Sequence, residues 1–253
     1  MFVDTHIHLD SEEFINVKQI LRRAEKAGVG KIIQVSTDEE SMLATLELAK
    51  QYDILKIGLG LYPDTIVALP EADIERLLGV IKSHKQQIIC ISEIGLDYKY
   101  TEDKELQEKQ KIWFKRQLEL AKELDIPVQI HSRDAEKECI EILEELQMKR
   151  VQMHCFMGEE HLIKRCVKNG WYLSVPVKAV KQNKLHELIQ FVPLSQMLTE
   201  TDGPYLHPTY GEINEPKNVV MTVEAIAKVK GVDPIEVENI IFQNYMRLYE
   251  VRK

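Results

Sequence analysis

The sequence has few cysteines, and they do not form a paired motif. Cys90, Cys139, Cys155 and Cys166 are far apart in the chain, and no C-x-x-C pair occurs. A disulfide framework or a thiol redox centre of that kind is therefore not expected. A reduced, cytoplasmic setting fits this cysteine usage best.

Long apolar runs are also missing. The chain opens Met1-Phe2-Val3-Asp4 without a basic-then-apolar leader, and no stretch approaches the roughly 18 apolar residues of a membrane-spanning helix. We therefore expect neither secretion nor membrane insertion. Nothing in the sequence indicates an obligate protein partner.

The chain lacks an excess of basic residues. Its 33 Lys and Arg are outnumbered by 41 Asp and Glu, which gives a formal net charge of −8. A dedicated duplex-DNA binder usually carries a basic domain or stripe, so tight non-specific binding to duplex DNA is not expected. Hydrolysis of nucleic acid remains compatible with this charge, because bound metal ions supply positive charge where the phosphate sits.

Several motifs of other enzyme classes are absent. The sequence contains no G-x-x-x-x-G-K-[ST], G-x-S-x-G or H-E-x-x-H. The G-x-G segments at Gly28 and Gly58 lack the third glycine of a dinucleotide fingerprint. Nucleotide-binding loops, serine-hydrolase elbows and zincin helices are therefore not predicted.

What the sequence does contain is a steady alternation of short β-branched runs with longer amphipathic segments. This rhythm predicts repeated βα units and a (β/α)8 TIM barrel of class α/β, with residues 1–253 as a single domain. The eight predicted strands are Phe2–His6, Lys31–Val35, Leu55–Leu59, Ile88–Ser92, Pro127–Ile130, Val151–His154, Trp171–Ser174 and Met197–Thr199. The predicted helices are Val17–Ala27, Glu39–Lys50, Asp73–Ser83, Lys104–Leu124, Ala135–Leu146, His161–Lys168 and a final helix from Pro234 to Tyr249.

Histidines and carboxylates cluster at the ends of these strands. His6 and His8 are two residues apart, a spacing that places both side chains on one face of a strand. Alone, each residue of the set has an ordinary structural explanation, such as a core or helix-capping histidine, or a carboxylate stepping into a loop. Together they fall at the carboxyl ends of the first, fourth, fifth, sixth and eighth strands, which converge on one face of a barrel. The predicted metal ligands are His6, His8, Glu93, His131, His154 and Asp202.

Such a donor set suits zinc, manganese or a nickel-like ion, or a mixed site that also accepts magnesium. Two adjacent divalent ions are plausible. The remaining histidines, His84, His161, His186 and His207, lie in predicted helices or in the irregular stretch Asp202–Lys217 and are not assigned to the site.

Five segments of the chain match a known family, and they occur in the family's order. Together they resemble the TatD-type metal-dependent deoxyribonucleases. The segments are Asp4-Thr5-His6-Ile7-His8-Leu9-Asp10, Ser92-Glu93-Ile94-Gly95-Leu96-Asp97-Tyr98, Pro127-Val128-Gln129-Ile130-His131-Ser132-Arg133, His154-Cys155-Phe156-Met157-Gly158 and Thr199-Glu200-Thr201-Asp202-Gly203-Pro204-Tyr205.

This resemblance implies a phosphodiesterase of the wider amidohydrolase group. Glu93 would bridge two metals, with one metal held by His6 and His8 and the other by His131 and His154. Asp202 would bind metal and orient or deprotonate the attacking water, so Glu93 and Asp202 are the implied catalytic residues. The implied substrate is DNA, at strand ends or in single strands. Arg133 is a further candidate for a phosphate contact.

Three departures from the family pattern bear on the substrate. Tyr62 in Gly60-Leu61-Tyr62-Pro63 stands where relatives usually carry histidine, and we expect it at the barrel mouth, outside direct contact with metal. Ile213 replaces a basic residue before Asn-Glu-Pro, and Ser174–Lys178 replaces a glycine-rich strand end. Two alternatives stay open: a metal-dependent amide, ester or lactone hydrolase, and a catalytically weak metal-binding barrel.

Overall fold

Eight parallel strands in a computed structural model of the chain, which describes residues 1–250, form one sheet in the order β1 to β8. The predicted barrel is thereby confirmed. The last three residues of the predicted 1–253 domain lie outside the described range. The strands are β1 (Phe2–Ile7), β2 (Val29–Val35), β3 (Leu55–Leu59), β4 (Ile88–Asp97), β5 (Val128–Arg133), β6 (Val151–Met153), β7 (Tyr172–Pro176) and β8 (Met197–Glu200).

Helices alternate with these strands, because the connections carry amphipathic segments, and four of these helices begin at a capping Asn or Asp side chain. The helices are α1 (Val17–Lys26), α2 (Glu39–Gln51), α3 (Pro63–Ala68), α4 (Glu71–Ser83), α5 (Lys104–Leu124), α6 (Glu136–Glu145), α7 (Glu160–Lys168), α8 (Asn183–Phe191), α9 (Val219–Lys230) and α10 (Pro234–Tyr245). A single wider-pitched turn, Met246–Glu250, continues α10 to the end of the described chain. None of the helices described is long and apolar enough to cross a membrane.

The strands pack their outer faces against the helices through a large apolar core, whereas the barrel interior is polar. Gln129 donates a hydrogen bond to the Thr5 carbonyl oxygen at 2.8 Å and to the Tyr249 hydroxyl at 2.9 Å. The Tyr249 hydroxyl in turn donates to Gln152 at 2.5 Å. These buried amides are thus satisfied within the barrel, as burial requires, and they form a rigid layer below the mouth.

The first and last strands are joined by a seam of hydrogen bonds at the barrel mouth. The backbone N–H of Asp202 donates to the His6 carbonyl oxygen at 2.9 Å, and that of His8 donates to the Gly203 carbonyl oxygen at 2.8 Å. Below them, the Asp4 carboxylate accepts from the Thr201 N–H at 2.8 Å and from its hydroxyl at 2.6 Å. Burial raises the pKa of Asp4 to about 8, although the bonds from Thr201 oppose this rise.

Candidate metal centre

Six side chains from five strands and the residues that follow them meet at the mouth of the barrel. β1, β4 and β5 supply one each, and the residues after β1, β6 and β8 supply the other three. Their ligand atoms form three overlapping groups in which the atoms of each group lie within 4.8 Å of one another. The groups are His6–His8–Glu93, His6–His154–Asp202 and Glu93–His131–His154. The structure therefore brings together every residue predicted as a metal ligand.

Glu93 lies between two pairs of histidines, and each of its oxygens faces one pair. Oε2 lies 3.5 Å from His6 Nε2 and 3.6 Å from His8 Nε2. Oε1 lies 2.6 Å from His131 Nδ1 and 3.7 Å from His154 Nε2. A carboxylate in this position offers one oxygen to each of two neighbouring sites.

Asp202 closes the cluster from the side of β8. Its Oδ1 lies 3.5 Å from His8 Nε2, 3.8 Å from His6 Nε2 and 4.0 Å from His154 Nε2. The side chain retains 15% exposure to the cavity above it. Asp202 thus touches the cluster and solvent at once, as a group that handles a proton from water requires.

Three of the histidines are held in orientation by acceptors outside the cluster. His6 Nδ1 donates to Gln129 Oε1 at 2.9 Å, and His154 Nδ1 donates to Glu200 Oε2 at 2.9 Å. His131 Nε2 donates to Asp97 Oδ2 at 2.9 Å. Each of these bonds orients a ring so that its other nitrogen points toward Glu93, as outer partners of metal-binding histidines do.

The donor set therefore fits divalent cations. His6 Nε2 and His8 Nε2 lie only 3.3 Å apart. Because Nδ1 of His6 donates to Gln129, its Nε2 presents a lone pair to the cluster. Imidazole nitrogens combined with carboxylate oxygens suit zinc or manganese, and the oxygens also suit magnesium.

The electrostatics of the cluster keep both acids ionised. Burial by itself raises the pKa of Glu93, but the bond from His131 and the nearby histidines outweigh it and hold the pKa well below its usual range. The pKa of Asp202 is also lowered, because the effects of His154 and His8 outweigh that of burial. Both carboxylates are thus available to cations at neutral pH.

Two cavities open onto the cluster. The first, of about 370 Å³, is lined by Tyr62, Tyr205, Thr37, Thr65, Asp10 and Ser11 on its outer walls and by the cluster at its base. We call it the aromatic cavity. The second, of about 480 Å³, is lined on its outer walls by Lys99, Tyr100, Ser132, Arg133, Lys178 and Lys184, among others. We call it the basic cleft.

Tyr62 lies in the aromatic cavity, as predicted, but its contacts are more specific than a position at the mouth. It precedes α3, and its hydroxyl donates to Asp97 Oδ2 at 2.7 Å. The same hydroxyl lies 3.1 Å from His131 Nε2. Burial and the neighbouring Glu93 and Asp97 raise the pKa of this phenol far above its ordinary value. Tyr62 is therefore a hydrogen-bond donor to a group that holds His131.

Arg133 and Ile213 lie in different surroundings. Arg133 lines both cavities, with a guanidinium nitrogen 3.6 Å from Asp97 Oδ2 and a side chain that is 42% exposed. Its role as a phosphate contact stays a prediction. Ile213 lines a separate surface cavity beside α1, away from the cluster. The loss of a basic residue at that position leaves the walls of the two site cavities unchanged.

The surroundings of Cys155 differ from those that its sequence predicts. The alternation of side chains in a strand that ends at His154 predicts a core thiol on the opposite face, but β6 ends at Met153 and Cys155 lines the basic cleft. Its backbone N–H donates to Glu200 at 2.9 Å. Burial, together with Glu200 and Asp202, raises the pKa of its thiol, so it is not a ready nucleophile.

Sequence reasoning missed two buried carboxylates that orient the histidines, Asp97 and Glu200. Both are fully buried. Both residues lie inside the segments that carry the family resemblance. A carboxylate in a buried strand requires a partner, so their position in apolar strands was a signal that could have identified them.

Comparison with known proteins places this site in a family. The family described as TatD related DNase matches residues 3–250. The chain is 33% identical over 258 residues to an uncharacterized metal-dependent hydrolase of Bacillus subtilis, YabD, covering 99% of this chain and 100% of that protein. It is 30% identical to the human deoxyribonuclease TATDN3, covering 98% of this chain and 94% of that protein.

A solved structure of a TatD homologue has the same fold as this chain. The crystal structure of YjjV, a TatD homologue from Escherichia coli, superimposes with a TM-score of 0.91 at 29% identity, covering 99% of this chain and 98% of that one. Together, the barrel, the six converging ligands and these matches show that the chain belongs to the TatD-related DNase family of metal-dependent hydrolases.

Proposed function

We propose that this protein is a divalent-metal-dependent phosphodiester hydrolase that cleaves DNA at strand ends or in single strands. The position of Glu93 carries the proposal. Each of its oxygens faces one pair of histidines, at 2.6 to 3.7 Å, in a buried pocket open to solvent on one side. This arrangement suits two cations side by side, as in many enzymes that cleave phosphodiesters.

In this assignment His6 and His8 would hold one ion, and His131 and His154 would hold the other. Glu93 would offer one oxygen to each, and Asp202 would complete the site from β8. Bound cations would supply positive charge to the phosphate, the attacking water and the leaving oxygen.

The chain's own groups position the reactants. Asp202 takes up the proton of the attacking water, because its ionised carboxylate lies at the base of the cavity and keeps access to solvent. Arg133 faces the same space and provides a charge for a non-bridging phosphate oxygen. Gln129, Glu200 and Asp97 keep the imidazoles in place during the reaction.

The shape of the site supports strand ends and single strands as substrates. The cluster lies at the base of a recessed cavity of about 370 Å³, and Glu93 and His131 are almost fully buried. An uninterrupted duplex is too wide and stiff to bring a phosphate to that depth, whereas a strand end is not.

The test combines removal of metal with a panel of substrates. Protein stripped by a chelator is supplied with manganese, magnesium or zinc and mixed with single-stranded DNA, blunt duplex, closed circular duplex, and amide, ester and lactone compounds. We expect no activity without metal, restored cleavage of the linear DNAs and little cleavage of the closed circle. Undiminished cleavage at negligible metal content would refute the mechanism.

The other substrates decide between the alternatives. Turnover of an acyl compound with none of DNA would replace the phosphodiesterase assignment with a carbon-centred hydrolase. Stoichiometric metal binding without turnover of any substrate would indicate a catalytically weak barrel.

A further inference from the structure

The two cavities that meet at the metal centre differ in charge. They share His131, Arg133, His154 and Asp202, so a ligand bound across the centre enters both. Apart from the proposed ligands Glu93 and Asp202, the walls of the aromatic cavity carry one acid, Asp10, and one base, Arg133. The walls of the basic cleft carry four basic residues against two further acids, Asp134 and Glu136. The basic cleft therefore has an excess of positive charge that favours an anion, and the aromatic cavity has no such excess.

The lysines of the basic cleft come from the carboxyl ends of two strands. Lys99 follows β4, whereas Lys178 and Lys184 follow β7. All three are exposed, and within residues 1–250 no ion pair is formed by any of them. Their charge is therefore available to a bound anion. Lys178 lies in the segment that replaces the glycine-rich strand end of the family pattern.

An exposed aromatic ring lies among these charges. Tyr100 is 65% exposed. The Arg133 guanidinium carbon lies 5.5 Å from the centre of its ring, and Lys99 Nζ lies 5.9 Å from it. A ring flanked by cations is the usual composition of a surface that stacks a base while neutralising the adjoining phosphates.

We propose that the basic cleft holds the phosphodiester backbone of a single-stranded nucleic acid that continues away from the cleaved bond, while the aromatic cavity holds its terminal nucleoside. The inference rests on the proposed function and deepens it. A strand would then cross the metal centre in one orientation only, with its charged arm over Lys178 and Lys184 and its uncharged end beside Tyr62 and Tyr205. Substrates without the charged arm would lose these contacts.

The test reverses the charge of the cleft and compares two substrates. Lys178→Glu/Lys184→Glu is prepared with a matched control, Lys149→Glu/Lys168→Glu. The control lysines are also exposed, but they precede β6 and β7 at the opposite end of the barrel. Both metal-loaded double variants and the wild type are assayed on a single-stranded oligonucleotide and on bis(p-nitrophenyl) phosphate, and binding of a phosphorothioate oligonucleotide is measured by anisotropy.

In the cleft variant we expect kcat/KM for the oligonucleotide to fall about tenfold or more relative to that for the small diester, mainly through KM. Its log–log salt slope for oligonucleotide binding should decrease in magnitude by about 1.4, because two single-strand phosphate contacts are lost. The control variant should keep the wild-type ratio and slope.

An unchanged ratio and slope in the cleft variant would overturn the inference, and so would an equal loss in the control. A wild type that cleaves the small diester but neither binds nor cleaves the oligonucleotide would overturn the inference and leave phosphodiester hydrolysis standing. A wild type that binds the oligonucleotide through the cleft but cleaves neither substrate would instead refute the proposed function.

Discussion

Replacing Tyr62 with phenylalanine removes one hydroxyl and leaves the ring in place. That hydroxyl donates to Asp97 Oδ2 at 2.7 Å, and the same oxygen accepts from His131 Nε2 at 2.9 Å. We expect Tyr62→Phe to leave the number of bound metals unchanged, to weaken their binding modestly and to lower kcat/KM on oligonucleotides. The reason is that Asp97 loses a donor that fixes its position against His131.

The magnitude follows from the partners that Asp97 keeps. A hydrogen bond to a carboxylate is worth about 1.5–3 kcal/mol. Asp97 retains His131, the Lys99 backbone N–H at 3.1 Å and Arg133 at 3.6 Å. Loss of a direct outer partner of a metal-binding histidine typically costs about 10- to 100-fold in metal affinity. Tyr62 contacts Asp97, which in turn holds His131. We therefore expect Tyr62→Phe to lower metal affinity by about 3- to 10-fold, or roughly 0.6–1.4 kcal/mol in binding free energy.

Titration calorimetry with manganese or zinc measures this effect directly. Asp97→Asn serves as the upper reference, with an expected loss of about 10- to 100-fold. Tyr205→Phe is the matched control, because Tyr205 lines the same cavity and is 55% exposed, so that its hydroxyl is hydrated. Tyr62→His should retain activity with a shifted pH profile, since an imidazole titrates near neutrality, unlike a phenol.

The refuting results are distinct. Wild-type affinity in Tyr62→Phe, combined with a loss in Asp97→Asn, would show that Asp97 is held without Tyr62. Wild-type affinity in both variants would show that neither residue positions His131.

Three further predictions follow from the same geometry. Glu93→Gln and Asp202→Asn should fold normally, as judged by circular dichroism, and lose activity by orders of magnitude; a loss below about tenfold, or roughly 1.4 kcal/mol in barrier, would contradict their roles. Glu200→Gln should weaken metal binding about 10- to 100-fold by calorimetry, because the imidazole it holds loses its charged acceptor, and an unchanged affinity would exclude this role. Burial raises the pKa of Glu215, but the hydrogen bond from Arg23 outweighs burial and lowers the pKa. The ionised form of Glu215 is therefore favoured in the folded chain. Glu215→Gln should therefore lower the free energy of unfolding by roughly 1 kcal/mol at pH 7, and the difference should disappear as the pH falls below the depressed pKa; a difference that persists there in denaturation curves would contradict the ion pair.

The ends of the strands were predictable because their sequence changes abruptly from apolar to polar. His131 lies within β5 and His154 directly follows β6, close to the positions expected. β4, in contrast, was predicted to end at Ser92 and continues to Asp97. The pairing of β4 with β5 shifts register between Ile91 and Ile94, and this shift turns Glu93 into the barrel in mid-strand. The alternation of apolar and polar residues in the sequence does not reveal such a shift.

Helix ends and short helices were less predictable. The spacing of Thr37 and Glu40 predicts a capping box, but the structure forms it one residue later, between Asp38 and Ser41. The Thr37 carbonyl oxygen instead accepts a hydrogen bond from the Tyr62 N–H. Helices α3, α8 and α9 were not predicted. Helix α3 has only six residues, and α9 is apolar on most of its faces. Packing against the barrel, rather than periodicity, determines them.

The seam between β1 and β8 has a consequence for the order in which the protein matures. His6 and His8 are synthesised nearly 200 residues before Asp202, whose N–H donates to the His6 carbonyl oxygen. Until that segment has emerged, the histidine pair lacks both the seam that fixes its strand and the carboxylate that completes the site. A chain that has not yet reached Asp202 therefore carries only part of the donor set of the finished barrel.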